Sequence, residues 1–529
     1  MIQRKTQDPI YWEDEFIITP DDLQYLSTRL IEDELPRSAD ELGHILVLHY
    51  CQQEEAVIER AMSRGIPYQP KRGYDVGDQV IFPALGYRVG EVVGIRPGNN
   101  PEYGSFRVIQ VKVGDDDEER EFASELAIDH PLNREAQAVA AGDDELRSPE
   151  ELAALYGSQV GERLEKHLES EPDFTRLAGK WFPKDLLVEV HVGHLNLAEA
   201  VLDMAGGGPL PTEDLLGDLE LPEEITSQLR VFSLNYALQE DERFDEVGPA
   251  GEVLWYLRRL EPERVQSTPI YLQCQPLEYN PALLTSEMLA LERELDDEWS
   301  NLDTPDGVSE PVTVVLTYPH WKSGTLPLSS RLGRVFPTGR THRIRFTFVD
   351  GETGEEIPGW VVREKRYVYG LEEWYKERDV LVGAYLELER GEKPGTVVIR
   401  RRARRPRGEW VRIALPVEGK LTFEMRKQLI ACEYDELMIV TEEDSRAMED
   451  VWSDVYERRL SLHQLITEIF PELAKLSPQG TVHAATLYSA VNVVMRTPPG
   501  PMLSELIVSG KYAPVGDNYW VLRVVSDGV

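Results

Sequence analysis

An internal repeat constrains the fold of this 529-residue chain more strongly than any other feature of its sequence. Residues 182–262 contain two amphipathic helical patterns, followed by aromatic-x-x-Val-Gly, a short turn and Trp-x-Leu-Arg at residues 244–258. The same order returns near the C-terminus, with the matching hairpin pattern at residues 512–523. Self-similar segments of roughly 70–80 residues indicate a repeated structural unit. The sequence therefore predicts two related units, each with two helices and a two-stranded wing.

This order resembles the HARE-type winged helix, the class found in the delta subunit of bacterial RNA polymerase and beside some restriction enzymes. The matching residues are Leu238, Asp241, Arg243, Phe244, Val247 and Gly248 in the first copy, and Leu487, Tyr488, Val491, Val515, Gly516, Tyr519, Trp520 and Leu522 in the second. The resemblance implies work on DNA or on a polymerase. Residues 17–65, with the cap pattern Ser38-x-x-Glu41, suggest a further winged-helix-like start or a small helical bundle.

The helices of the repeat offer few side chains for reading a DNA groove, which requires Arg, Lys, Asn or Gln. The candidates are Gln228, Arg230 and Asn235 in the first copy and His483, Asn492 and Arg496 in the second. Acidic residues surround the first set, so the first copy is better suited to a protein partner. Trp255 and Trp520 occupy strand positions and are expected in the core.

Two other segments change to the period of β-strands. Residues 74–113 alternate apolar and polar residues between glycine turns, and their Val76-Gly77-Asp78-x-Val80 run resembles the KOW-type barrels of transcription and ribosomal proteins. Residues 311–413 read as six or seven strands with one short helix. They resemble the plant B-three DNA-binding pseudobarrel through Trp360, Tyr367, Tyr369, Trp374, Tyr375, Val382 and Gly383. Ala384 and Tyr375 depart from that pattern, in which Asp and Phe stand.

The chain is thus predicted to be an α+β multidomain protein of winged-helix units and small β-barrels. The predicted order is an N-terminal helical domain (1–72), a KOW-like barrel (73–128), a charged helical linker (129–180), a winged helix (181–265), a linker (266–310), a basic barrel (311–415), a helical connector (416–460) and a second winged helix (461–529).

Charge is distributed unevenly along the chain. The net charge is −39, which opposes binding to a phosphate backbone. Residues 311–413, however, hold 20 Lys and Arg against 13 Asp and Glu, a local balance of +7, so the remainder carries −46. A sign asymmetry of this kind is more informative than the total.

The cations of the basic barrel are the candidate nucleic-acid contacts, and arginine suits bidentate contacts to phosphate or guanine. They are Lys322, Arg331, Arg334, Arg340, Arg343, Arg345, Arg363, Lys365, Arg366, Arg400, Arg401, Arg402, Arg404, Arg405 and Arg407. Two alternatives stay open. The arginines could pair with acidic residues of the same chain, or they could form an ordinary solvated rim.

Catalytic, metal and membrane signatures are missing from the sequence. The motifs GxxxxGK[ST], GxSxG and HExxH do not occur, and Glu418-Gly419-Lys420, which has the spacing of a nuclease triplet, reads as a turn. Three separated cysteines argue against a thiolate zinc site, and the geometry of Glu189, His191 and His194 is poor for one metal. Neither a membrane-spanning run nor a signal peptide is found. We therefore expect a cytoplasmic protein that is not an enzyme and holds no cofactor or metal.

These observations favour an accessory or regulatory protein that binds DNA or associates with RNA polymerase. Two other classes remain open: a specificity or scaffold subunit of a restriction or defence system, and an adaptor that binds only protein. All three depend on whether the cationic module is exposed.

Overall fold

The structure is a computed structural model that describes residues 4–113, 118–128, 130–133, 146–222, 224–300, 302, 311–441 and 445–523. The chain divides into two compact bodies. Body 1 is Met1–Val190 with Leu221–Tyr236, and body 2 is His191–Glu220 with Ala237–Val529. Parts of the two predicted linkers, residues 134–145 and 303–310, lie outside the described residues.

The fold mixes helices with several separate sheets, as the predicted α+β class requires. The α-helices are α1 (Pro20–Asp33), α2 (Ala39–Met62), α3 (Pro149–Leu168), α4 (Val192–Met204), α5 (Thr212–Leu216), α6 (Ser227–Glu240), α7 (Glu263–Gln266), α8 (Ser286–Leu295), α9 (Tyr318–Ser323), α10 (Glu372–Glu377), α11 (Ser445–Glu457), α12 (Leu462–Ala474), α13 (Ala484–Val494) and α14 (Pro499–Val508). The strands are β1 (Arg37–Ser38), β2 (Ile66–Pro67), β3 (Gln79–Phe82), β4 (Arg88–Pro97), β5 (Arg107–Val113), β6 (Glu118–Ser124), β7 (Phe174–Leu177), β8 (Lys180–Pro183), β9 (Leu210–Pro211), β10 (Phe244–Glu246), β11 (Leu254–Leu257), β12 (Val312–Val315), β13 (Thr325–Pro327), β14 (Arg343–Asp350), β15 (Glu356–Val362), β16 (Tyr367–Tyr369), β17 (Tyr385–Arg390), β18 (Thr396–Arg401), β19 (Ala403–Val417), β20 (Lys420–Cys432), β21 (Ile439–Thr441), β22 (Val482–His483), β23 (Tyr512–Gly516) and β24 (Tyr519–Leu522).

Three segments share one arrangement of elements, which we call a helical unit. Each has a helix, a two-residue strand, two further helices and a hairpin, and the short strand pairs with the second strand of the hairpin. The strand orders are β1-β8-β7 in the first helical unit, β9-β11-β10 in the second and β22-β24-β23 in the third. Trp255 and Trp520, on the hairpins of the second and third units, are buried as the sequence predicts.

The first helical unit is interrupted by a five-stranded sheet between α2 and α3. The sheet order is β2-β3-β4-β5-β6, with β2 and β3 parallel and the other pairs antiparallel. Tyr68, Phe82 and Phe122 pack together at its centre. The helices α2 and α3 of one helical unit are therefore separated along the chain by an inserted sheet.

The prediction of a charged linker over residues 129–180 is wrong for its second half. Ser148 and Glu151 form a capping box at the start of α3, and Tyr156 and Val160 of that helix are buried. A Cβ built on Gly43 of α2 would lie 2.2 Å from the carbonyl oxygen of Gly157. Glycines thus bring α2 and α3 into close backbone contact, a feature that the charged composition of the segment conceals.

The basic segment folds into a seven-stranded sheet with the order β12-β17-β18-β14-β15-β16-β13. Only the β14–β18 pair is parallel among these neighbours. The two outer strands are not paired with each other, so the curled sheet stays open. The short helix α10 is fixed by two buried hydrogen bonds: Trp374 donates to Asp350 at 2.8 Å, and Tyr375 donates to the carbonyl of Thr325 at 2.8 Å.

A long antiparallel hairpin of β19 and β20 follows, with β21 parallel to β19. Its turn is formed by Glu418 and Gly419, whose φ angles are 51° and 74°, as a tight two-residue hairpin turn requires. The predicted helical connector over residues 416–460 is therefore wrong for residues 420–432. The alternation of buried Leu421 and Phe423 with more exposed Thr422 and Glu424 favours a strand there.

Buried charges connect the third helical unit to the seven-stranded sheet within body 2. The Arg496 guanidinium lies 2.7 Å from both Asp297 and Glu298. His320 on α9 contacts the second oxygen of Glu298 at 3.2 Å, and Tyr488 on α13 donates to Asp297. All of these side chains are almost fully buried, so each charge depends on its partner.

The Arg496→Met substitution is expected to destabilise body 2 by about 3–5 kcal/mol, because two carboxylates would stay buried without a cation. Urea denaturation followed by tryptophan fluorescence measures the loss. Adding Asp297→Asn should recover part of it, since one of the unpaired charges is then removed. The Arg458→Met control breaks only an exposed pair with Asp454 and should leave the urea midpoint unchanged. Equal midpoints for Arg496→Met and this control would contradict the assignment.

Candidate nucleic-acid interface

Most of the predicted cations are engaged within the protein. At least seven of the fifteen lie beside a carboxylate of the same chain. The pairs are Lys322–Glu449 at 2.9 Å, Arg331–Asp296 at 3.1 Å, Arg343–Asp245 at 2.8 Å, Lys365–Glu364 at 2.8 Å, Arg402–Glu387 at 2.7 Å, Arg404–Glu409 at 3.2 Å, and Arg400 with Glu389. The first of the two alternatives, pairing within the chain, therefore describes a large part of the set.

Other predicted cations bind backbone carbonyls or aromatic rings. Arg366 donates to the carbonyl of Glu298 at 3.0 Å and lies over the Trp299 ring. Arg363 donates to Thr341, and Arg401 to the carbonyl of Arg378. These contacts stabilise the fold around the sheet, and they leave the positive charge of the three arginines less available to an external ligand.

Arg345 is the clearest case of a predicted contact that serves the fold instead. Its guanidinium donates to the carbonyl of Gly359 at 3.2 Å and lies 5.6 Å from the centre of the Trp360 ring. Burial lowers the pKa of Arg345 below its ordinary value. A side chain in this position is not available to a phosphate in solvent.

Arg343 belongs to a small cluster of acids. It lies 2.8 Å from Asp245 and 3.0 Å from Glu261, whose side chain is fully buried. Burial, with a smaller contribution from the adjacent Asp245, raises the pKa of Glu261 to about 8 against the opposing charge of Arg343. The second oxygen of Glu261 has no hydrogen-bond donor in the described part of the chain. Protonated Glu261 would need no second cation at this site, which agrees with the upward direction of its pKa.

The remaining predicted cations are exposed. Arg334 and Arg340 lie in the segment before β14, and Arg405 and Arg407 lie at the start of β19. For Arg405 and Arg407, the described ranges contain no ion pair or hydrogen bond to the side chain. These two arginines occupy the end of the β19–β20 hairpin that is distant from its turn.

The same hairpin exposes side chains that were not predicted as part of a site. Trp410 is 63% and Leu429 is 73% exposed, and Met425 and Lys427 are also exposed. Residues 403–432 carry seven Lys and Arg against three Asp and Glu, a balance of +4. In a strand, the period-2 pattern of residues 420–432 places Met425, Lys427 and Leu429 opposite β19. The prediction of a helix over this segment concealed that pattern.

The groove-reading candidates of the repeated units are largely internal. Asn235, Asn492 and Arg496 are buried, and Arg496 forms the ion pairs described above. His483 accepts a hydrogen bond from the backbone N–H of Ala485 at the start of α13. Gln228 is exposed at the start of α6 and Arg230 is half-buried. The third helical unit therefore presents none of its three named candidates as an unengaged surface side chain.

The described ranges contain no group of three or more His, Cys, Asp or Glu residues placed to hold a metal ion. His191 accepts from the N–H of Gly193 at the start of α4, and its ring stacks on that of His194. None of the helices described is long and apolar enough to cross a bilayer.

The Asp245–Glu261–Arg343 cluster makes stability depend on pH. A carboxyl whose pKa is raised on folding contributes stability below its unfolded value of about 4.5, and this contribution is lost as pH rises through about 8. Wild-type protein should therefore require less urea to unfold at pH 9 than at pH 6. The Glu261→Gln variant should reduce this difference, because its amide is neutral and can still donate to Asp245. An unchanged difference would show that Glu261 is ionised throughout.

Comparison with models of known protein families, with curated proteins and with solved structures finds no match for this chain. The resemblances stated from the sequence therefore remain expectations.

Proposed function

We propose that this chain is a non-enzymatic accessory protein that binds DNA, with the β19–β20 hairpin as its nucleic-acid contact. The acidic helical units then contact a protein partner such as RNA polymerase. The proposed function is the one expected from the sequence, but the proposed interface is the exposed β19–β20 hairpin and not the whole basic barrel.

The observation that carries the proposal is the state of the cations on the hairpin. In the described ranges Arg405, Arg407 and Lys427 are exposed, and none has a carboxylate within ion-pair distance. Acidic residues outnumber basic ones by 95 to 56 in this chain, so exposed cations would readily acquire internal partners. Cations without such partners are available to phosphate, and each phosphate that they neutralise releases counterions from the nucleic acid.

The helical units support the second part of the proposal. Their order of helix, short strand, two helices and hairpin, with the short strand against the last one, is that of a winged helix. We assign this fold to all three units on that basis. Three of the six named groove-reading residues are buried. Glu150 at the start of α3 and Glu240 at the end of α6 are exposed acids. Such surfaces repel DNA and suit a basic or neutral protein surface.

A purely protein-binding adaptor is the second candidate, and the internal pairing of Arg331, Arg343 and Arg402 favours it. A specificity or scaffold subunit of a restriction system would share the DNA contact of the first proposal. The two main candidates differ in one measurable property, which is salt-dependent affinity for DNA.

The triple variant Arg405→Gln/Arg407→Gln/Lys427→Gln is expected to weaken DNA binding and to flatten its salt dependence. If each cation neutralises one phosphate, the slope of log affinity against log salt should fall in magnitude by about 2.7. Fluorescence anisotropy of a labelled duplex and of a labelled single strand, each at several salt concentrations, measures both quantities.

The matched control is Arg60→Gln/Arg64→Gln, which removes exposed cations from body 1 without altering the hairpin. It should leave the slope unchanged. If the wild-type chain binds neither DNA form at low salt, the protein-binding adaptor replaces the proposal. If the control flattens the slope as much per charge as the hairpin variant, the contact is diffuse and the assignment to the hairpin is wrong.

A further inference from the structure

We infer that one face of the β19–β20 hairpin is a stacking platform for unpaired bases, so that the protein prefers single-stranded over duplex nucleic acid. The inference rests on the proposed function and identifies the form of nucleic acid that the same site binds. We call this surface the outer face, and it consists of Gly408, Trp410, Arg412, Met425, Lys427 and Leu429.

The register of the hairpin places these residues together. Trp410 pairs with Lys427, and Gly408 pairs with Leu429, which is the next pair whose side chains lie on the same face. Residues directly opposite each other in an antiparallel pair share a face, and diagonal neighbours are within reach of large side chains. Trp410 therefore lies directly opposite Lys427 and diagonally opposite Leu429 on one face of the hairpin.

Gly408 keeps the platform flat. A Cβ built on Gly408 would lie 2.8 Å from Cε of Lys427, so the lysine side chain occupies the space that a larger residue would fill. The stem of Lys427 is thus directed diagonally across the hairpin toward Gly408, which is two residues from Trp410. An aromatic ring, an aliphatic contact and an ammonium group thus occupy one continuous surface.

The outer face is not explained by packing within the protein. The opposite face holds Val411 and Ile413, which are buried. The face of Trp410 is buried only toward the turn, at Leu421 and Phe423, whereas Trp410 and Leu429 are mostly exposed. Single exposed apolar residues are common on protein surfaces, but adjacent exposed Trp, Leu and Met side chains on one face indicate a binding surface. Tryptophan is costly to leave in water unless a partner covers it.

Charge complementarity points to a polyanion as the occupant. The outer face carries Lys427, which is exposed, and Arg412, whose guanidinium donates to the carbonyl of Glu436, and it carries none of the carboxylates of the two strands. Glu409 and Glu424 alternate onto the opposite face. Arg405 and Arg407 precede Trp410 on the same strand, but the alternation that places Glu409 on the opposite face places Arg407 there too. Lys427 is therefore the exposed cation of the outer face itself. An apolar aromatic surface flanked by cations matches the alternation of bases and phosphates in a single strand.

A single strand fits this surface better than a duplex. Reading a duplex groove uses hydrogen-bonding side chains that point to base edges. Here the exposed centre is Trp410 with Met425 and Leu429, which provides ring and aliphatic contacts with little hydrogen bonding. Bases whose faces are already unpaired can stack on such a surface without the energy needed to open base pairs.

The Trp410→Ala substitution should weaken binding of a labelled oligothymidylate of about 20 nucleotides by roughly 5- to 150-fold, the range for losing one aromatic–base stack. Trp410→Phe should retain most of the affinity. The affinity for a duplex of the same length should change less than about twofold, and the salt slope should stay at its wild-type value because no charge is removed. Anisotropy titrations with the full-length chain provide all of these values.

Two controls separate stacking from general damage to the hairpin. Val417→Ala removes another exposed apolar side chain near the turn of the same hairpin and should not change affinity. Urea midpoints of both variants should match wild type, because Trp410 and Val417 contribute little to the core.

The outcomes distinguish this inference from the proposed function. If Trp410→Ala leaves single-strand affinity unchanged while the triple cation variant loses it, the platform is wrong and the proposed function stands. If wild type binds neither form of DNA, both fail. If poly-glutamate displaces the oligonucleotide at equal charge concentration and Trp410→Ala has no effect, the face binds acidic protein segments instead.

Discussion

The buried contact between Arg496 and the adjacent acids Asp297 and Glu298 is the interaction on which the architecture of body 2 depends. It joins the segment after α8, the last helical unit and, through His320, the seven-stranded sheet. Burial raises the pKa of Glu298, but Arg496 and His320 outweigh it and the net shift is downward. A cation held in this way fixes orientation as much as it adds stability, because the ions tolerate only one geometry.

The helical units share one order of elements but are stabilised by different contacts. In the third helical unit, Arg496 after α13 is paired internally, and α14 buries most of its residues against the core. In the first unit, glycines allow α2 and α3 to touch. Arg405, Arg407 and Lys427, which are exposed and have no internal partner within the described ranges, lie on a hairpin outside these units.

Short sequence patterns correctly predicted features that depend mainly on neighbouring residues. The capping box at Ser38 and Glu41 is present, and the aromatic hairpins with Trp255 and Trp520 occur where the repeat predicts them. The errors arose where non-local contacts decide. The helix over 149–168 is charged enough to read as a linker, yet it buries Tyr156 and Val160 and approaches α2 closely at Gly157. The arginines were identified as a cationic set, but their pairing with Asp245, Asp296 or Glu387 depends on tertiary neighbours that the sequence does not reveal.

The inserted sheet between α2 and α3 has a consequence for how the chain is made. Two helices that must touch are separated by more than eighty residues of intervening polypeptide, since α2 ends at Met62 and α3 begins at Pro149. During synthesis, α2 emerges long before its partner and exposes an apolar face meanwhile. A sheet that folds early within the gap shortens the effective distance between the helix ends and lowers the entropy of closing the loop. A folded insertion of this kind costs the helix pair less closure entropy than an unstructured loop of the same length.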